Sequence, residues 1–209
     1  HVDGAVAGSV LFSKTYSKHI RGVAKSDSFC FNAHKTLGVP LSTSVLISKN
    51  GDDLYNSFNN KASYLYQTHN DDYNLGQTSF ECGRRNNSLK LWVLWKAIGT
   101  SGLEKIVDHE FDLAKHAREY VSSNSDYELY NFKDSLSVCF NFKNYDPIDL
   151  CSKLYERNKI MVGYGRFNNK TFVRLVTINS QNTKKEIDSF FKILEKFSKD
   201  FGNEIKKIN

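Results

Sequence analysis

Leu103, Val107, Phe111, Ala114, Ala117 and Val121 recur every three or four residues near the middle of the chain. That period commits the segment to one long amphipathic helix with a buried face. A dense apolar helix with two tryptophans is predicted over 88–98, Gly99-Thr100 breaks it from the stripe, and the polar stretch 122–125 ends the stripe. Core packing explains this stripe without any chemistry.

Beyond it, Leu136, Val138, Phe140 and Phe142 alternate with Ser137, Cys139 and Asn141, the period of a strand with one buried face. Pro147 suits the first turn of a helix running to about Arg157. Residues 159–162 and 171–178 read as strands, and a last helix over about 183–199 buries Ile187, Phe190, Phe191, Leu194 and Phe197. Alternation of strand and helix from Tyr127 onward predicts a small α/β domain with a helix-covered sheet. Before the stripe, a strand opens the chain, a short helix is predicted around 18–23, and a second strand covers 28–32. The β-branched content of 42–48 predicts a nearly fully buried strand, followed by a short helix over 51–58. The segment 61–85 has no sustained period, and a long irregular segment inside a compact domain is more often functional than accidental.

Composition narrows the function classes. The chain has 209 residues, 40% hydrophobic and 13% aromatic, which is globular composition. Its charge of +6 is spread among acids and forms no basic stripe interleaved with aromatics, so no nucleic-acid partner is expected. Cys30, Cys82, Cys139 and Cys151 have neither CxxC spacing nor a dense framework; they read as reduced thiols of a cytoplasmic protein, with no metal site. No apolar run approaches the roughly 18 residues that suggest a membrane span.

Candidate chemistry centres on Lys35, in Asn32-Ala33-His34-Lys35-Thr36-Leu37-Gly38. A lysine just past a strand and before a glycine turn is well placed to form an imine with an aldehyde cofactor; the alternative is an ordinary solvated lysine. Asp3, at the end of the first strand, is the partner for a pyridinium nitrogen if Lys35 holds pyridoxal phosphate, because ligands bind at carboxyl ends of strands in α/β sheets. Gly4 and Ala5 then leave room for a flat ring. Otherwise Asp3 is a turn or cap residue. Arg174 shares a strand face with Phe172 and Val176, and a buried guanidinium there needs an anionic partner, either a structural carboxylate or a ligand.

Several stretches, in order, resemble the group II pyridoxal-phosphate-dependent amino-acid decarboxylases, most closely the glutamate and cysteine-sulfinate branch. They are His1-Val2-Asp3-Gly4-Ala5, Asn32-Ala33-His34-Lys35 with Gly38-Val39-Pro40, Ala62-Ser63-Tyr64-Leu65-Tyr66-Gln67, Cys82-Gly83-Arg84-Arg85, Lys90-Leu91-Trp92 through Trp95-Lys96-Ala97, and Phe172-Val173-Arg174. The resemblance implies the C-terminal part of a fold-type I large domain over 1–100, a connecting helix over 101–125 and a small α/β domain over 126–209. It also implies α-decarboxylation of an acidic amino acid, with glutamate, aspartate and cysteine sulfinate left open. By the same resemblance, Lys35 is expected to carry pyridoxal 5'-phosphate, Asp3 to pair with its ring nitrogen, and Ala5, Asn32 and His34 to help seat it. Arg174 clamps a substrate carboxylate, a task suited to the guanidinium fork. Tyr73 stands where a tyrosine returns a proton to the product, in a loop shorter than the family's usual one; an exposed loop tyrosine is the alternative. The expected partners are the upstream half of the subunit and a second copy in a homodimer. Two other readings stay open: a different fold-type I pyridoxal-phosphate reaction, and a non-catalytic fragment that binds no cofactor alone.

Overall fold

The computed structural model describes residues 1–58, 78–81, 83–130 and 133–208. They fall into two compact units, His1–Glu104 and Lys105–Asn209.

The first unit is built on a three-stranded sheet of β1 (Val2–Asp3), β2 (Ser28–Asn32) and β3 (Ser44–Ser48), in that order. β1 runs parallel to β2, and β3 antiparallel to it. Phe29 and Phe31 of β2 are buried, with Val10 and Phe12 from the turn of 3-10 helix Ala7–Phe12, and the Phe12 and Trp95 rings pack edge to face with centroids 5.0 Å apart. The strand at 28–32 is where the sequence puts it. Around 18–23 the chain forms two 3-10 turns, Ser17–Ile20 and Val23–Lys25, instead of a helix, because Gly22 between them takes a φ of 95° that interrupts any right-handed run.

β3 departs from expectation in burial. Leu46 and Ile47, consecutive residues on opposite faces, are 48% and 53% exposed. The strand exists, but neither of its faces is covered at these positions. α1 (Asp52–Phe58) follows, started by Asn50 and Asp53 side chains.

α2 (Asn87–Ser122) contains the predicted break: Gly99, at φ 69° and ψ 177°, is non-helical. The unit boundary falls within this helix, and Val107, Phe111, Ala114, Ala117 and Val121 form its buried stripe in the second unit.

That unit holds β4 (Tyr127–Tyr130), β5 (Ser137–Phe142), α3 (Pro147–Glu156), β6 (Gly163–Phe167), β7 (Lys170–Val176) and α4 (Lys184–Phe201), with sheet order β4-β5-β7-β6, all antiparallel. Leu113, Ala117 and Val121 of α2, Leu150 and Leu154 of α3, and Ile187, Phe191 and Leu194 of α4 cover one face, over Val138, Phe140, Phe142 and Val173. Helix ends follow the sequence: Asp146 caps α3 by accepting from the amides of Ile148 and Asp149, with Pro147 in the first turn. At α4, Thr183 and Glu186 form a reciprocal capping box.

Two expectations need correction here. The strand read at 159–162 lies instead at Gly163–Phe167, because Asn168 and Asn169, with φ 47° and 59°, make the left-handed turn that pairs it with β7. β5 is buried on both faces, since Cys139 and Asn141 are inaccessible along with Phe140 and Phe142, which alternate with them.

Candidate active site

Parallel pairing of β1 with β2 sets the geometry. Asp3 lies opposite Cys30, the Gly4 amide donates to the Cys30 carbonyl at 2.9 Å, and the Asn32 amide donates to the Ala5 carbonyl at 3.2 Å. The carboxyl ends of the two strands therefore lie side by side. They bring Asp3, Ala5, Asn32, His34 and Lys35 to one end of the sheet.

Asp3 is exposed, and its Oδ1 accepts the Ala5 amide at 2.8 Å and lies 3.7 Å from Cys30 Sγ. This is the turn contact foreseen as the alternative for Asp3, and it engages one oxygen only. Lys35 is half-buried; its amide donates to the Asn32 carbonyl at 3.0 Å, and its carbonyl accepts from Gly38 at 3.2 Å. No hydrogen bond or ion pair among the described residues engages Lys35 Nζ.

The loop carrying that amine is fixed on both sides. Ala33, Thr36, Leu37 and Val39 are buried, and the Thr36 hydroxyl forms a short hydrogen bond with Ser9. His34 Nδ1 lies 3.0 Å from the Thr43 amide and 2.9 Å from its carbonyl, so the ring is tethered through one nitrogen and Nε2 faces away from that tether. Sequence reading missed Ser9, Thr36 and Thr43. Only tertiary folding joins Ser9 to Thr36, and no spacing rule connects them.

Gly4 has a different reason from the one its size suggests. A Cβ there would lie 2.7 Å from the Cys30 carbonyl oxygen, 2.8 Å from the Phe29 ring and 2.9 Å from Gly8 Cα. Packing of the protein against itself demands glycine, and the gap is already filled.

Arg174 belongs to the second unit, on β7 opposite Cys139 of β5 and Gly163 of β6. It is exposed, so the premise of a buried guanidinium fails. It makes no ion pair among the described residues, and its charge pulls down the pKa of the Cys139 thiol, which burial pushes up by more. Tyr73 lies outside the described residues, as do Ala62 to Gln67 and Cys82 of the motifs above.

Lys35 and Asp3 thus lie at the same sheet end, and among the described residues the lysine amine has no partner and the carboxylate keeps one oxygen uncommitted. Such a donor set suits an aldehyde-bearing cofactor with a basic ring nitrogen: the amine can hold the aldehyde, and the carboxylate can keep the nitrogen protonated.

Residues 1–143 match the family model of the pyridoxal-dependent decarboxylase conserved domain. The chain is 30% identical to the cysteine sulfinic acid decarboxylase of Homo sapiens over 223 aligned residues, covering 96% of this chain and 45% of that protein. It is 28% identical to the acidic amino acid decarboxylase GADL1 of Mus musculus, covering 96% and 40%. Among solved structures, mouse CSAD superposes with a TM-score of 0.80 at 29% identity, over 93% of this chain and 44% of that one. The chain thus spans less than half the length of these relatives, and its fold is that of part of a fold-type I domain with mixed sheets and helices.

Proposed function

Because the chain belongs to the pyridoxal-dependent decarboxylase family, we propose that it supplies the cofactor-anchoring part of an enzyme that α-decarboxylates an acidic L-amino acid to the amine and carbon dioxide. The observation that carries this reading is the free Lys35 amine at the same strand ends as the Asp3 carboxylate, within the stretch that matches the family.

Pyridoxal 5'-phosphate, when bound, supplies an electron sink for the pair left by the departing carboxylate. This chain's residues bind and orient it. Lys35 Nζ tethers the aldehyde, while the fixed loop around Thr36 keeps the amine from wandering. Asp3 would keep a proton on the ring nitrogen, and its Oδ2 is not engaged by the Ala5 amide that Oδ1 accepts. Ala5 and Asn32 line the seat, and His34, steadied through Nδ1 by Thr43, offers Nε2 to it. Arg174 presents an uncommitted guanidinium that suits a substrate carboxylate. Tyr73 returns a proton to Cα of the product.

The substrate class rests on relatives named for cysteine sulfinate and for acidic amino acids. Glutamate, aspartate and cysteine sulfinate are the candidates. The partners are the upstream portion of the same subunit and a second copy in a homodimer; the bare faces of β3 support the first. A cytoplasmic location fits the free thiols of Cys30, Cys139 and Cys151, and no described helix is long and apolar enough to cross a membrane.

The test is to co-express this chain with the upstream portion and offer each candidate substrate labelled at the α-carboxylate. Labelled carbon dioxide is expected from one of them. Keto-acid formation without carbon dioxide indicates another fold-type I reaction, and no turnover in the full assembly indicates a non-catalytic fragment.

A further inference from the structure

On the second unit, the face of the sheet opposite the helices carries a cavity of about 340 Å³ that the proposed reaction does not use. Its origin is topological. The β5–β7 ladder runs from Ser137↔Val176 to Phe140↔Val173 and stops there, while β5 continues to Phe142 beside β4 and β7 begins at Lys170 beside β6. A wedge opens between the two strands. Asn141 of β5 and Thr171 of β7 line it, together with Glu128 and Tyr130 of β4, Asp146 at the start of α3, and Lys170.

Asn141 is only 3% exposed; its side-chain amide already donates to the Tyr130 hydroxyl, while its Oδ1 has no hydrogen-bond partner among the described residues. A buried carbonyl without a donor is left desolvated and uncompensated, so such an atom beside a cavity suits a donor from outside. The other groups define which donor. Glu128 and Asp146 are carboxylates against a single lysine, which disfavours an anion. Among the described residues no group of three His, Cys, Asp or Glu side chains could hold a metal ion. An ammonium group already sits at the rim: Lys170 Nζ lies 3.8 Å from Glu128 Oε1 and 5.0 Å from the centre of the Tyr130 ring, on a side chain 61% exposed. This tethered cation shows what the carboxylate and the ring face accept.

We propose that this wedge is a binding site for a small organic ammonium compound, which takes the place of Lys170 Nζ between Glu128 and Tyr130 and directs its N–H donors toward Asn141. The site stands on residues of the second unit and does not depend on the decarboxylase reading, although the amine product of that reaction belongs to the same chemical class.

The experiment is a titration of the full 209-residue chain with ethanolammonium chloride, against sodium chloride at equal ionic strength, followed by amide chemical shifts. Saturable shifts confined to Glu128, Tyr130, Asn141 and Lys170 are expected with the ammonium salt alone. Lys170→Ala frees the ring face and should tighten binding about twofold to fivefold, whereas Glu128→Gln should weaken it by about the same factor. Both side chains are exposed, so neither variant threatens the fold. Shifts that sodium chloride reproduces, shifts that do not saturate, or equal affinity in both variants and the parent chain would overturn the proposal.

Discussion

Lys105–Asn209 and His1–Glu104 bury apolar surface in opposite ways. In the former, three helices cover one sheet face, and Phe140, Phe142 and Phe191 are fully inaccessible. In the latter, Leu46 and Ile47 leave both faces of β3 about half bare, and Trp92, Val93 and Trp95 of α2 are exposed as well. Exposed apolar patches of this kind are candidate interaction surfaces. The first unit nevertheless holds the candidate cofactor anchor, on the loop between β2 and β3 where Ala33, Thr36, Leu37 and Val39 are buried. A rigid anchor can thus sit in a unit whose outer faces await cover.

Core truncation should separate the two units most. Phe140→Ala should destabilise the second unit by about 3–5 kcal/mol, read from urea unfolding followed by circular dichroism. If the loss is small, the second unit is not the self-contained body described here.

A pH effect of comparable size is expected in the same unit. Glu110 is 0% exposed, both of its carboxylate oxygens lack partners among the described residues, and burial pushes its pKa up to about 9 from 4.5. The folded state therefore keeps a proton that the unfolded state releases above about pH 4.5. Stability from this group is full below that pH, falls by up to about 1.4 kcal/mol per pH unit as pH rises, and levels off above about 9. Glu110→Gln should abolish that slope. An unchanged slope would mean that the carboxyl finds a partner in solution.

Smallest is the change expected on the bare strand. Ile47→Thr should shift the stability of this chain by no more than about 0.5 kcal/mol, yet weaken its association with the upstream portion in a pull-down titration. A large loss in the isolated chain would show that β3 is covered already.

Much of the fold was legible because its signals are local. Pro147 after Asp146, and Thr183 three residues before Glu186, mark helix starts through backbone amides that need acceptors. β6 was misread because Ile160, Met161 and Val162 have strand composition, while the true strand contains Gly163 and Gly165 and is recruited by its hairpin turn to β7. Burial was the harder property. The β-branched content of β3 signals an environment that this chain does not itself provide. Glu110 could have been found, since it lies three residues after Val107 and four before Ala114, on the stripe itself. For the candidate site, the strand-end positions of Asp3 and Lys35 were readable from the pattern. The Ser9–Thr36 and His34–Thr43 contacts that fix the lysine loop were not, because they join residues that only the fold makes neighbours.

The central claim is that Lys35 is the cofactor anchor. Borohydride reduction of this chain assembled with its upstream portion and pyridoxal phosphate, followed by peptide mass analysis, tests it most directly. A pyridoxyl-phosphate adduct on the peptide carrying Lys35, lost in Lys35→Ala, is the expected result. An adduct on another lysine, or one that survives Lys35→Ala, would contradict it.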